Sequence, residues 1–334
     1  MRKFIIKLIA FFSPIVIILI LFTFLDVFKV FKEYNDYYKD NFITLNRELV
    51  CAETYRKYRD TEKYNSFIFG SSRSQAFKVK EWSKYLSLNA KPFHFDASGE
   101  GIYGISKKIE YIDELGDKID NALIIVDRET LGQTSAREGH LFIPPTYISK
   151  KSRFEFYYTF LKAQVNPKFI LAYIDYSIFK RHRKYMGHLI EKSEFPLKTN
   201  IKNCDIWYGY DESIKRDSIG YYKNLINKGV FYDRSKKRNE NNKIEIKLAE
   251  VEQLEKIKII LNKHNTFYKI VISPVYNQVP LEKEQEELLN KIFGEENVYN
   301  FAGKNKFTQS ISNFYESSHY RPHVANEILK IIYE

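Results

Sequence analysis

The stretch Asn65-Ser66-Phe67-Ile68-Phe69-Gly70-Ser71-Ser72-Arg73-Ser74 decides how the rest of the chain is read. Phe67, Ile68 and Phe69 form a short apolar run bounded by polar residues, the pattern of a strand covered on both faces. Gly70 can take backbone angles closed to residues with a side chain. Ser71 or Ser72 then falls at the start of a helix, where unpaired N–H groups and a partial positive charge collect. A serine held there carries its hydroxyl at the carboxyl edge of a sheet, beside donors able to stabilise an oxyanion. Serine is also a favoured helix cap, so the turn by itself does not require chemistry.

Downstream of this stretch the pattern alternates. Residues 75–86 read as a helix, 91–97 (KPFHFDA) as a second strand ending in Ser98-Gly99-Glu100-Gly101, 105–115 as a helix and 122–127 (ALIIVD) as a third strand. Strands alternating with helices of this length predict an α/β fold, a mostly parallel five-stranded sheet sandwiched between two helical layers. Ligands of such sheets collect at the carboxyl ends of the strands, where the Gly-Ser-Ser turn, the Ser98–Gly101 loop and Asp127-Arg128 all fall. Residues 131–242 interrupt the alternation and read as an insertion packed on the sheet domain, as a wall or lid over that edge. It holds an aromatic helix at 154–161, the basic run Lys180-Arg181-His182-Arg183-Lys184, and Tyr208, Tyr210 and Trp207 near Asp205. It closes in a polar loop at 234–243. The sheet pattern resumes with a helix at 244–262, a strand at 268–274, a helix at 281–293, a strand at 297–301 and a final helix at 324–333.

Upstream, Arg2, Lys3 and Lys7 precede an uncharged run over 8–25. At about 1.5 Å per residue that run spans roughly 27 Å, close to the hydrocarbon thickness of a bilayer. The basic flank stays cytoplasmic by the positive-inside rule, which puts everything after Asp26 outside the cytoplasm. A cleaved signal peptide is the rival reading, but Thr23-Phe24-Leu25-Asp26 has no small-x-small cleavage site. The expected organisation is therefore a transmembrane anchor over 1–27, a mainly helical stalk over 28–63 and a catalytic-type domain over 64–334. With 334 residues, a net charge of +11 and a pI near 9.2, contact with anionic surfaces is allowed. The lysines are dispersed and no nucleic-acid-binding motif accompanies them, so no nucleic-acid partner is expected. Cys51 and Cys204 are the two cysteines, and a disulfide between them is permitted outside the cytoplasm. No metal-ligand spacing is present, and the chemistry calls for neither metal nor cofactor.

At the far end, Glu316 and His319 stand three residues apart before the last helix. That spacing lets a carboxylate reach one imidazole nitrogen while the other faces outward. A serine hydroxyl needs such a base, because it is unreactive at its own pKa. The carboxylate fixes the tautomer and stabilises the imidazolium.

FIFGSSRSQAF over 67–77, the glycine-bearing loop after the second strand, and FYESSHYRPHVANEIL over 314–329 together resemble the SGNH (GDSL-like) hydrolase superfamily. The closer resemblance is to its membrane-anchored extracytoplasmic branch, which includes the teichoic-acid D-alanylation and alginate O-acetylation proteins. The resemblance covers the anchor and the sheet blocks but not the insertion. It implies a flavodoxin-like SGNH sheet with Ser72 as nucleophile, His319 as base and Glu316 as orienting acid, where the family usually has Asp. It implies Gly101 or Gly99 as the oxyanion glycine. The family's Gly-x-Asn-Asp block is absent and Val126-Asp127-Arg128-Glu129 stands near its place; ionised Asp127 cannot donate as Asn would. Arg73 and Arg128 are the candidate substitutes. The implied function is extracytoplasmic transfer of an acyl group, acetyl by analogy, to a cell-surface polysaccharide or related envelope polymer, beside a multi-span membrane-bound O-acyltransferase. A polysaccharide O-acyl esterase would use the same residues with water as acceptor, and a non-catalytic partner subunit of such an acyltransferase would keep the blocks without the reaction.

Overall fold

The computed structural model describes residues 2–191, 200–203, 208–234 and 245–334. Cys204, Asp205 and Trp207, and most of the polar loop expected over 234–243, lie outside the described residues.

Helix α1 (Arg2–Leu25) leads, followed by irregular chain and helix α2 (Arg47–Glu62). Strand β1 (Ser66–Gly70) passes through the short helix α3 (Val79–Trp82) to β2 (Pro92–Asp96). Helix α4 (Ile102–Glu114) crosses to β3 (Asn121–Val126). Among the described residues, seven α-helices follow before β4: α5 (Arg128–Gly132), α6 (Thr146–Ser149), α7 (Arg153–Gln164), α8 (Pro167–Phe179), α9 (Tyr208–Arg216), α10 (Ser218–Asn227) and α11 (Leu248–Lys263). The chain ends through β4 (Phe267–Ile272), α12 (Lys283–Phe293), β5 (Val298–Asn300), α13 (Lys306–Gln309), the hairpin strands β6 (Phe314–Glu316) and β7 (His319–Tyr320), and α14 (Pro322–Tyr333).

The five long-range strands form one sheet of order β2-β1-β3-β4-β5, every pair parallel. Both faces are apolar, as the uninterrupted sequence of β1 requires. Phe67, Phe69, Phe93, Phe95, Ile124 and Ile270 meet α2, α4, α11 and α12 on one face, while Ile68, Leu123, Ile125 and Val271 meet α3 and α14 on the other. The connection leaving β1 runs on the second face, while those entering β3 and β4, through α4 and α11, pack on the first, so the crossovers diverge between two neighbouring strands. Such a divergence opens a crevice at the carboxyl ends of both strands. Gly70 and Ile125 stand opposite each other in the register there.

Three expectations change. The helix expected over 75–86 is broken into a 3-10 turn at Ser72–Ala76, α3 and a second 3-10 turn at Ser83–Tyr85. The Ser71 carbonyl accepts from both the Ser74 N–H and the Ser74 hydroxyl, at 2.8 and 2.7 Å, which tightens the first turn. The helical stalk expected over 28–63 is not a stalk: α2 is a layer helix packed on β2, with Leu49, Val50, Cys51, Ala52 and Tyr55 buried. Its polarity misleads because two of its charged residues are buried as ion pairs or beside one, Arg47 on Asp96 at 2.7 Å and Glu48 next to Lys108. Finally, Glu316 and His319 lie on a two-stranded hairpin rather than in a loop. Cys51 is a buried free thiol, pushed up by burial, against the His94 carbonyl and the Asn203 amide.

Among the described residues α1 is the one helix long and apolar enough to cross a membrane, a property that a signal sequence shares. Its last turn is built into the domain. Phe22 is buried with Phe28, Phe156, Phe160 and Phe169, and Asp26 accepts from the Val30, Phe31 and Lys32 N–H groups and from the Tyr34 hydroxyl.

Candidate active site

The turn after β1 is fixed from below. A Cβ on Gly70 would lie 2.8 Å from the Ile125 carbonyl oxygen and 2.9 Å from the Ser74 Cβ, and φ there is +153°. Only glycine lets the chain leave the sheet that close to β3. Ser71 caps the 3-10 turn by accepting from the Arg73 N–H, and Ser72 is the first residue inside it. Two side chains of the same turn are tied to β2. The Ser74 hydroxyl meets His94 Nε2 at 2.9 Å, and Gln75 Nε2 donates to Asp96 Oδ2 at 2.7 Å. Burial alone would raise the Asp96 carboxyl, but the Arg47 guanidinium outweighs it and, with Gln75, holds the group down at about 2. Burial keeps His94 neutral, its pKa pushed down to about 4.

Ser72, His319 and Glu316 are brought together. The Ser72 hydroxyl is 2.7 Å from His319 Nε2, and His319 Nδ1 is hydrogen-bonded to Glu316 Oε1. The other carboxylate oxygen, Oε2, accepts from the Ser318 N–H at 2.8 Å. With Nδ1–H donating to the carboxylate, Nε2 is left as an acceptor for the serine hydroxyl. Burial pushes the Glu316 carboxyl up, but the bond to His319, its charge, the Ser318 N–H and Arg73 outweigh it and leave the group below the usual glutamate range. The hairpin explains how Glu serves at this position: Glu316 and His319 are register partners across the β6–β7 turn, and the extra methylene spans the gap between strands.

Arg73 joins the two halves. Its Nη1 donates to Asp127 Oδ2 at 2.7 Å and Glu129 Oε2 at 3.2 Å, and its Nε donates to the Ser318 carbonyl at 3.0 Å. Asp127 is at once the cap of α5, its Oδ1 accepting from the Glu129 and Thr130 N–H groups at 2.9 Å each. Of the two candidate glycines, Gly99 lines the Ser72 cleft while Gly101 packs against Gln133 and does not. Arg128 also lies off the cleft, paired with Glu282 at 2.6 Å.

The cleft holds about 200 Å³ and is lined by Ser72, His319, Gly99, Glu100, Glu129 and Arg137, among others. Arg137 was not singled out from sequence; it sits in a polar loop with no periodicity to mark it, and its guanidinium lies beside Gly99. Glu100 was equally hidden. Its carboxylate is bonded to the buried Lys108 ammonium, which also faces Glu48 at 4.0 Å.

No family model matches the chain, and no curated protein matches it.

Proposed function

We propose that the chain is an SGNH-like, membrane-anchored O-acyltransferase that acts outside the cytoplasm on hydroxyls of a cell-surface polysaccharide or related envelope polymer. The observation that carries the reading is the continuous Ser72–His319–Glu316 relay at the carboxyl edge of β1. In the first half-reaction Ser72 Oγ attacks the donor carbonyl while its proton passes to His319 Nε2. Collapse of the tetrahedral adduct breaks the bond to the leaving group, which takes that proton and leaves an ester on Ser72. In the second, an acceptor hydroxyl gives its proton to Nε2 as its oxygen attacks the ester; the new ester departs and Ser72 recovers the proton. Glu316 keeps Nδ1 protonated and balances the imidazolium. Gly99, which lines the cleft, is the backbone donor for the oxyanion in this reading. Arg73 acts as a positioning residue, its Nη1 held by Asp127 and Glu129 and its Nε by the Ser318 carbonyl.

In this reading α1 is the anchor, the segment over 131–242 is an insertion around the cleft, and a multi-span membrane-bound O-acyltransferase supplies the acyl group. The test has two arms. Ser72→Ala, present in cells at the wild-type level, should abolish polymer acylation; unchanged acylation refutes the reading. Purified full-length protein given an activated acetyl ester and an oligosaccharide should yield acetylated sugar, whereas free acetate alone would make the protein an esterase.

A further inference from the structure

Helices α7 and α8 expose an apolar surface that the domain does not use. On α8, Ile170, Leu171, Ile174 and Ile178 share one face at spacings of one, four and eight residues, and they are 42, 59, 51 and 66 % exposed. Phe179 at the helix end and Phe154 and Tyr158 on α7 extend the surface, Phe154 being stacked on Tyr158. A contiguous patch of this kind marks a docking surface.

What covers it is indicated by α1. That helix packs on α7, and its last buried residue, Phe22, shares one cluster with Phe156, Phe160, Phe169 and Ala172 from the inner faces of α7 and α8. Phe31, six residues after α1, stacks on Tyr157 at 5.0 Å, and Asp26 locks the intervening turn. The two helices that bear the apolar face are thus packed, through their inner sides, on the point where α1 enters the domain. Basic side chains flank it: Lys162 and Lys168 near the α7–α8 turn, and Lys180, Arg181 and Lys184 after α8, all exposed. Asp175, the acid on α8, is neutralised by Arg183 at 2.7 Å. An aliphatic stripe, aromatic flanks and exposed cations are the composition of a helix lying in a bilayer interface.

We propose that the α7–α8 face rests in the headgroup region of the bilayer that α1 crosses, a second, monotopic attachment to anionic lipid. The orientation that follows concerns the cleft. Helix α2 begins beside the carboxyl end of β2, through Arg47 and Asp96, and contributes Leu49 and Val50 to the same cluster as Phe22. The loop holding Arg137 and His140 lines both the Ser72 cleft and the groove beside α7 and α8. The carboxyl edge of the sheet is therefore turned toward the lipid, and the cleft opens close to the membrane surface.

The proposal rests on the anchor reading of α1, and the test separates the two. Full-length protein in a Cys204→Ser background, Cys51 being buried, is labelled with an environment-sensitive fluorophore at Ile174→Cys, Phe12→Cys or Leu88→Cys. Each is reconstituted into vesicles of phosphatidylcholine and phosphatidylglycerol carrying a nitroxide near the headgroup end of an acyl chain. Leu88 is fully exposed, and the neighbouring Asn89 carbonyl accepts from Asn65 just before β1, at the opposite, amino edge of the sheet. The Ile174 label should blue-shift and lose most of its emission to the lipid quencher, while the Leu88 label responds only to aqueous iodide. Quenching at Phe12 with an iodide-accessible Ile174 overturns the interface and leaves the anchor standing. An Ile174 label shielded from both quenchers also overturns it, because protein rather than lipid then covers the face. Absence of lipid quenching at both Phe12 and Ile174 overturns anchor and interface together. None of these readouts depends on Ser72 chemistry.

Discussion

Glu316→Gln is the substitution for which the geometry gives the sharpest expectation. Glu316 Oε2 accepts from the Ser318 N–H at 2.8 Å while Oε1 accepts from His319 Nδ1. An amide has one acceptor and one donor end, and the Ser318 N–H needs the acceptor. The amide NH2 is therefore left facing Nδ1, which must lose its proton and accept. The ring proton moves to Nε2, the atom 2.7 Å from the Ser72 hydroxyl, which can then no longer take the serine proton. Loss of the correct tautomer costs about 10⁴-fold in serine reactivity, or about 5.4 kcal/mol at 1.36 kcal/mol per decade. The assay is the second-order rate of Ser72 labelling by a fluorophosphonate, followed by mass spectrometry on protein whose melting temperature matches wild type. Ring nitrogen NMR on histidine-labelled protein reads the tautomer directly. A Glu316→Gln protein that labels within tenfold of wild type would refute the reasoning. Glu316→Asp should fall in between, since the shortened side chain keeps the charge but leaves the cross-hairpin reach short.

Arg73→Met should lower the labelling rate by roughly 10–100-fold and soften the hairpin, because the Ser318 carbonyl loses its donor and Asp127 its counter-charge; hydrogen exchange confined to residues 314–320 is the readout that a mere loss of stability would not give. Lys108→Met leaves the Glu100 carboxylate buried without its counter-charge, and should cost about 3–5 kcal/mol in urea unfolding. His94 is held neutral at a pKa of about 4 against 6.5, so the unfolded chain binds the extra proton between those values and stability falls as pH drops from about 6.5 to 4. The loss approaches about 3 kcal/mol at 1.36 kcal/mol per pH unit, and His94→Gln should abolish this part of the pH dependence in parallel melts.

The sheet was legible because β1 and β3 are buried on both faces and so carry unbroken apolar runs, over 67–69 and 122–126. Ser72, His319 and Glu316 were legible because each stands where an element ends, and element ends are written in Gly, Ser and Pro. What was hidden was polar and buried. Arg47 and Glu48 made α2 read as a stalk, although Asp96 pairs with Arg47 inside the fold and Glu48 is buried 4.0 Å from Lys108. Arg73 was read as a candidate oxyanion donor, and its ties to Asp127 and the Ser318 carbonyl come from segments far apart in the chain that no local pattern connects. Arg137 lies in a loop whose position depends wholly on what surrounds it.

The hydrogen bond between Ser72 and His319 joins positions 247 residues apart. A chain made from its amino terminus holds the serine early but lacks any base for it until the hairpin that carries His319 has been synthesised and has settled against the first turn. Until then the alcohol is as inert as one in free serine. The last strand of the sheet, β5, precedes that hairpin in the chain, so the Ser72–His319 bond is among the last contacts the growing chain can make.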